Sequence, residues 1–147
     1  MNPAPKEIIH VGQIEIRFLL ESADTAGALA MFECVIPSGS RVPVQHSHIA
    51  YDETIYGLAG VVAFTVEGRT TEVGPGGTLF IPRGAVHGFV NRGAEAVRFL
   101  AMVTPALLGP AFFREMGEAL RAGGPPDPKR LGEIMLRHGL KPAPMPA

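Results

Sequence analysis

The sequence VPVQHSHIAYDETIYGLAG, residues 42–60, places two histidines one residue apart and an acidic pair, ending at Glu53, shortly after them. Side chains two residues apart point the same way in a strand, so His46 and His48 share a face if this segment is extended. Glu53 returns to that face only if the chain bends after His48. A third histidine, His87, lies in a separate segment. The His-x-His pair alone is weak evidence for a metal site, because it also suits a polar surface strand.

The length and composition limit what the chain can be. With 147 residues, of which 46% are apolar, it is long enough for one domain with a real core. Its 13 basic and 14 acidic residues leave no excess charge that would favour nucleic acid. The single cysteine, Cys34, lies among apolar residues and is expected to be a small buried side chain. The N-terminal residues contain no apolar signal segment, so we expect a soluble, cytoplasmic protein.

Short segments of alternating apolar and polar residues predict an all-β fold. Apolar side chains recur at every second position in QIEIRFLL (13–20) and VVAFTVEG (61–68), which is typical of half-buried strands. Further predicted strands are 28–36, 69–73, 78–82, 85–91 and 97–104. Many short strands separated by glycine and proline indicate a closed barrel or a jelly roll.

The pattern changes to a helical period after residue 105. Residues 106–141 predict two amphipathic helices, the second with Asp127 as N-cap and Pro128 at its first position. We therefore expect a β-barrel over residues 1–105 and a helical extension of the same domain over 106–141. The remaining residues, 142–147, are expected to be a disordered tail.

Taken together, the histidine segments resemble the two motifs of the cupin superfamily. The first motif is matched, with six residues instead of five after its first glycine, by Gly39, His46, His48, Glu53 and Gly60. The second is matched without departure by Gly76, Pro82, Gly84, His87 and Asn91. The short spacing between the motifs is similar to that of small single-domain cupins. The glycines, the proline and Asn91 are interpreted as turn and strand-end residues.

The resemblance implies a small β-barrel with one divalent metal bound inside by His46, His48, Glu53 and His87. Three neutral imidazoles and a carboxylate suit Fe, Mn, Co, Ni, Cu or Zn. The alternative is a metal-free barrel with hydrogen-bonded histidines. An octahedral metal with these four ligands leaves two open positions, whereas a tetrahedral Zn²⁺ would be closed and structural.

Three functions remain open for such a barrel. It is expected to be an oxygenase similar to quercetinase-like cupins, acting on a small aromatic or enolisable substrate. The alternatives are a metal-dependent isomerase, epimerase or lyase, and a non-catalytic barrel that binds a small molecule. Glu53 and, second to it, Tyr56 are the candidate catalytic residues for moving a proton. Apolar strand residues, among them Phe64, Phe89 and Met102, are the expected substrate pocket.

The helical stripe that contains Phe112, Phe113 and Met116 is apolar, and two helices cannot bury it alone. This stripe and the exposed edges of a small barrel predict a homodimer. The alternative is a monomer whose helices cover its own barrel. No nucleic-acid or membrane partner is expected.

Overall fold

The fold is built from two antiparallel sheets that face each other, seen in a computed structural model that describes residues 5–144. Within this range the strands are β1 (Glu7–Val11), β2 (Ile14–Leu20), β3 (Ala30–Ile36), β4 (His46–His48), β5 (Asp52–Ala59), β6 (Val62–Val66), β7 (Arg69–Val73), β8 (Thr78–Ile81), β9 (His87–Val90), β10 (Val97–Thr104) and β11 (Leu140–Pro142). One sheet has the order β1-β2-β3-β10-β5-β8 and the other β11-β4-β9-β6-β7. The predicted all-β barrel is confirmed.

The alternation seen in the sequence sets which side chains fill the space between the sheets. In β3, for example, Ala30, Phe32, Cys34 and Ile36 are buried and the residues between them are less so. Burying one face of each strand against the opposite sheet is what stabilises such a sandwich. Cys34 is a buried free thiol, as predicted.

Two helices follow the barrel, α1 (Pro110–Arg121) and α2 (Pro128–Arg137). The Asp127 side chain accepts a hydrogen bond from the Lys129 backbone N–H (3.0 Å), and Pro128 opens α2, as the sequence predicts. The buried face of α1 includes Phe112 and Met116, and this helix packs on β1. The helices therefore cover the chain's own barrel.

The last strand, β11, lies where the sequence predicts no strand, at the end of the helical extension (106–141) and the start of the expected tail (142–147). It pairs with β4, so that Leu140 lies opposite His48 and Pro142 opposite His46. The Ala143 N–H donates to the Gln45 carbonyl (2.8 Å) and continues this pairing. A three-residue strand has too few residues to show alternation, and its partner strand stabilises it. The predicted disorder of residues 145–147 lies outside the described residues.

In the described part of the chain, no helix is long and apolar enough to cross a membrane. The cytoplasmic location stays a prediction.

Candidate metal centre

Three histidines from two neighbouring strands converge inside the barrel. His46 and His48 lie on β4, and His87 on β9 is the direct antiparallel partner of His46. The ring centroids are 5.2 Å apart for His46 and His48, 4.7 Å for His46 and His87, and 4.6 Å for His48 and His87. One ring nitrogen of each lies within 4.8 Å of the others. These residues could hold one metal ion.

Two of the imidazoles have their tautomers set by backbone carbonyls. The Nδ1–H of His46 donates to the Val44 carbonyl (2.8 Å), and the Nδ1–H of His87 donates to the Ala85 carbonyl (2.9 Å). A carbonyl only accepts, so each Nδ1 carries the proton and each Nε2 keeps its lone pair. Such a hydrogen bond on the outer nitrogen is how metal-binding histidines are oriented in proteins.

His48 is held differently, because no carbonyl of a described residue accepts from it. Its Nδ1 is buried and has no hydrogen-bond partner among residues 5–144. The ring stacks on Tyr51, with centroids 4.5 Å apart and planes at 24°. The Tyr51 hydroxyl donates to the His138 carbonyl (3.2 Å) just before β11. Packing against Tyr51 thus orients this imidazole, and Tyr51 links it to the C-terminal segment.

Burial keeps the three imidazoles neutral. It lowers the pKa of His46 to about 3, with His87 adding to the effect, and that of His48 to about 2, with both other histidines adding to it. Burial also lowers the pKa of His87. Neutral imidazole is the form that binds a metal, so the donor set fits a divalent transition metal.

Glu53 reaches the histidines from the opposite sheet, at the start of β5. Its Oε2 is 3.6 Å from the His48 Nε2, and its side chain is only 12% exposed. Burial raises the pKa of this carboxyl to about 7. Glu53 is not among the three residues whose ligand atoms lie mutually close, but it is the carboxylate beside them.

Asp52 lies next to Glu53, but its carboxylate binds Arg83 in the turn that leads to His87. Its Oδ1 accepts from the Arg83 backbone N–H (2.8 Å), and its Oδ2 lies 3.1 Å from the Arg83 Nη2. The Gly84 N–H of the same turn donates to the His48 carbonyl (2.8 Å). These contacts join the segment that carries His46 and His48 to the turn that precedes His87.

The structure does not bring Tyr56 to this site. Glu53 and Tyr56 are three residues apart in one strand, and residues at odd spacing point to opposite faces. Glu53 lines the cavity, whereas Tyr56 is 39% exposed on the outside. The interpretation of Tyr56 as a catalytic residue is therefore corrected.

The same rule corrects Met102 as a pocket residue. Ala101 and Val103 are buried on the inner face of β10, and Met102 between them points outwards. Phe99, three residues earlier, lines the cavity instead. The odd spacing of Phe99 and Met102 in the sequence was a signal that only one of them faces inwards.

A cavity of about 90 Å³ lies against the histidines and Glu53. Phe64 and Phe89, both predicted, line it together with Phe99, and the three rings contact one another with centroids 5.3–5.6 Å apart. Among the lining residues that the pocket prediction missed are Val11, Ile14, Ile16, Phe32 and Cys34 from the first three strands, and Leu108, Phe112, Phe113, Met116 and Met135 from the C-terminal segment. The apolar stripe of the helices predicted a buried face, but the sequence does not show which surface that face packs against.

Two facing antiparallel sheets with a histidine cluster between them define the cupin class, and residues 32–103 match the family model of the cupin domain. Residues 32–103 therefore form a cupin domain.

Among proteins of known activity, quercetin 2,3-dioxygenase of Bacillus subtilis (strain 168) is 28% identical over 102 residues. The match covers 69% of this chain and 29% of that enzyme, so the chain spans under a third of the relative's length. A predicted oxalate decarboxylase from Thermotoga maritima is 28% identical, with a TM-score of 0.61, over 69% of this chain and 92% of that one. A sugar phosphate isomerase from Silicibacter pomeroyi shares the fold, at 20% identity and a TM-score of 0.55, over 62% of this chain and 59% of that one.

Proposed function

We propose that the protein is a metal-dependent cupin of oxygenase type that acts on a small aromatic or enolisable substrate. The observation that carries this proposal is a cluster of three neutral imidazoles and one carboxylate at the end of an apolar cavity. His46, His48, His87 and Glu53 would hold one divalent transition metal. The relation to quercetin 2,3-dioxygenase supports oxygen chemistry.

The side chains around the site have separate tasks in this proposal. When bound, a redox-active metal supplies the electron transfer that lets dioxygen react with an organic anion. The Glu53 carboxylate accepts the hydroxyl proton of an enol or phenol and leaves the substrate as that anion. Phe64, Phe89 and Phe99 contact its apolar body and exclude water from the reacting group.

The cavity lining favours this substrate class over a phosphorylated sugar. Among the described residues that line it, none is a lysine or an arginine. A phosphate group is usually bound by such cations or by exposed backbone N–H groups. Isomerase or lyase chemistry on an uncharged substrate would need the same metal and the same base but no dioxygen. Dependence of turnover on dioxygen therefore separates oxygenase chemistry from these two classes.

Metal binding is tested first, by elemental analysis of the purified protein and of two histidine variants. His87→Ala removes one of four proposed ligands and is expected to lower metal occupancy strongly. His10→Ala is the matched control, because the His10 side chain is 61% exposed and lies outside the cluster. Full occupancy in His87→Ala would contradict the proposal.

Activity is tested by loading the metal-free protein separately with Fe²⁺, Mn²⁺, Co²⁺, Ni²⁺ and Zn²⁺. Oxygen consumption and loss of substrate are then both measured with catechols, 1,3-diketones and flavonols, in air and without dioxygen. We expect turnover that needs a redox-active metal and is lost in Glu53→Gln, which keeps the side-chain shape but cannot accept the proton. Equal turnover without dioxygen, or with Zn²⁺, would assign the isomerase or lyase class instead. Binding without turnover would indicate a non-catalytic barrel.

The homodimer stays a prediction, but one of its reasons is removed. Phe112 and Met116 are 7% and 3% exposed within a single chain, so most of the apolar stripe is already covered. Light scattering at micromolar concentration measures the mass, and a monomer would contradict the prediction.

A further inference from the structure

The strand that carries two of the three clustered histidines is paired mainly on one side. On one edge, β4 shares a single residue pair with β9, that of His46 with His87, and the Gly84 N–H adds one hydrogen bond to the His48 carbonyl (2.8 Å). On the other edge, all three residues of β4 pair with β11, and Leu140 lies opposite His48. Because a short strand is placed by its hydrogen bonds to its neighbours, the position of β4 depends chiefly on β11.

Two further backbone hydrogen bonds continue this pairing past both ends of β4. The Ile49 N–H donates to the Gly139 carbonyl (2.9 Å), and the Ala143 N–H donates to the Gln45 carbonyl (2.8 Å). Residues 138–143, here called the C-terminal strap, therefore follow the whole length of the histidine strand.

The strap is attached to both helices. The His138 ring contacts the Glu115 carboxylate of α1, which also accepts a hydrogen bond from the Arg137 Nη1 (2.6 Å). The helix α2 packs on β11, and the Tyr51 hydroxyl donates to the His138 carbonyl (3.2 Å). These contacts keep the strap on β4.

Leu140 is the strap residue that reaches the histidine cluster. Leu140 and His48 are each 1% exposed, and both line the cavity. Side chains directly opposite each other in an antiparallel pair lie on the same face, with Cβ atoms about 4.5–5.5 Å apart. The Leu140 side chain therefore packs beside the His48 imidazole, whose Nδ1 has no hydrogen-bond partner among residues 5–144.

We propose that the C-terminal strap positions His46 and His48 for metal binding, so that docking of the strap on β4 and binding of the metal favour each other. The inference rests on the proposed function, because it takes the histidine cluster as the metal site. A docked strap places two ligands before the metal binds, and this lowers the entropy that binding costs. The coupling is reciprocal, so a bound metal stabilises the docked strap. His87 depends less on the strap, since its strand β9 also pairs with β6.

The first experiment tests the positioning without a metal, in the metal-stripped full-length chain. NMR measures how fast the ring Nδ1–H groups of His46 and His87 exchange with solvent. Both groups donate to a backbone carbonyl two residues earlier, but His46 lies on β4 and His87 on β9. Leu140→Ala and Ala143→Pro should each accelerate exchange at His46 by about threefold or more and leave His87 within about twofold.

The two variants weaken the strap in different ways, and each has a matched control. Leu140→Ala removes a buried side chain of β11, and its control is Ile36→Ala, because Ile36 is 0% exposed, lies on β3 and does not line the cavity. Ala143→Pro removes the N–H that donates to the Gln45 carbonyl, whereas Ala143→Ser keeps it. Both controls should leave exchange at His46 within about twofold. If Leu140→Ala does not fold, Leu140→Val, which removes less volume, takes its place.

The second experiment measures the coupling to the metal. Competition with a chromogenic chelator gives the Zn²⁺ affinity, and the visible absorption spectrum of the Co²⁺-loaded chain reports the coordination geometry. We expect Leu140→Ala to weaken Zn²⁺ binding by about tenfold or more and Ala143→Pro by about threefold or more, with an altered Co²⁺ spectrum in both. Ile36→Ala and Ala143→Ser should match the unmodified chain.

The reciprocal effect is measured by backbone hydrogen exchange in the unmodified chain. Zn²⁺ should slow exchange of the Ile49 and Ala143 N–H groups by about threefold or more beyond its effect on the Gly76 N–H. Gly76 is the reference because its N–H donates to the Gly57 carbonyl (2.9 Å) of the other sheet.

The outcomes separate the role of the strap from the proposed function. Equal exchange at His46 in the strap variants and the unmodified chain, or equal acceleration at His46 and His87, would overturn the positioning role whether or not a metal binds. Unchanged Zn²⁺ affinity and Co²⁺ spectrum in both strap variants would overturn the coupling. Failure of the unmodified chain to take up Zn²⁺ and Co²⁺ would contradict the proposed function, while exchange at His46 would still decide what the strap positions.

Discussion

Tyr51 is expected to hold the His48 imidazole in the orientation that binds a metal. Its ring stacks on the imidazole at 4.5 Å, and no carbonyl of a described residue orients that imidazole. The carbonyls of Val44 and Ala85 perform this task for the other two histidines. Removing the tyrosine ring should therefore affect metal affinity as well as stability.

The magnitudes follow from the contacts that each variant loses. Tyr51→Phe keeps the stacked ring and loses one hydrogen bond, to the His138 carbonyl at 3.2 Å. It should lower the free energy of unfolding by about 0.5–1.5 kcal/mol and leave Zn²⁺ affinity within about twofold. Tyr51→Ala removes a side chain that is 1% exposed and should lower it by about 3–5 kcal/mol. The lost stacking, about 0.5–1.5 kcal/mol, should weaken Zn²⁺ binding by up to about tenfold.

The free energies are measured by urea unfolding in the presence of a chelator, so that metal binding does not contribute. Zn²⁺ affinity is measured separately by competition with a chromogenic chelator. Tyr56→Ala is the matched control, since Tyr56 is 39% exposed on the outer face and its loss should change stability by about 0.5 kcal/mol or less. Unchanged Zn²⁺ affinity in Tyr51→Ala would refute the orienting role, even if the variant is destabilised.

Three further predictions concern the close packing at Gly57, the buried side-chain amide of Asn91 and the binding of Zn²⁺. Gly57→Ala would place a Cβ 2.0 Å from the Gly74 carbonyl oxygen and should lower the free energy of unfolding by about 3 kcal/mol or more. Gly74→Ala is the control, because its Cβ would meet only Val61, at 3.6 Å. Equal urea midpoints for the two variants would contradict this expectation. Asn91→Ala should cost about 2–3 kcal/mol in urea unfolding, because the buried Asn91 side chain makes three hydrogen bonds (2.7–3.0 Å), to Ile36, Gly93 and Glu95. A loss below about 1 kcal/mol would count against it. Zn²⁺ at one hundred times its Kd should stabilise the folded chain by about 2.7 kcal/mol and raise its Tm, and a chelator should reverse the effect. An unchanged Tm would show that Zn²⁺ does not bind the folded chain in preference to the unfolded chain.

Local features of the fold were predictable because they depend on near neighbours in the sequence. Alternating burial in β2 follows from the two-residue period of a strand, and the start of α2 follows from the Asp127 cap and Pro128. The shared face of His46 and His48 needs only that their segment be extended. Asn91 is a turn residue, as interpreted from the sequence, and its side chain bonds to the nearby Glu95 carbonyl and Gly93 N–H.

Features that depend on distant contacts were predicted less well. Alternation shows that Glu53 and Tyr56 face opposite sides of β5, but the packing of one sheet on the other decides which side is inside. Likewise, β11 is a strand only because β4 offers it a free edge. Its three residues carry no pattern strong enough to predict a partner.

The sequence by itself determined the barrel class, the two helices and the three histidines, since each rests on a local period or on the spacing of a motif. Only the tertiary structure decided that Glu53 approaches His48 from the opposite sheet, that Tyr51 stacks on His48, and that side chains of α1 and α2 line the cavity. These last features join residues far apart in the chain, such as Tyr51 and His138. Their contacts form because burying apolar surface favours one arrangement of the whole domain, and no short segment contains that information.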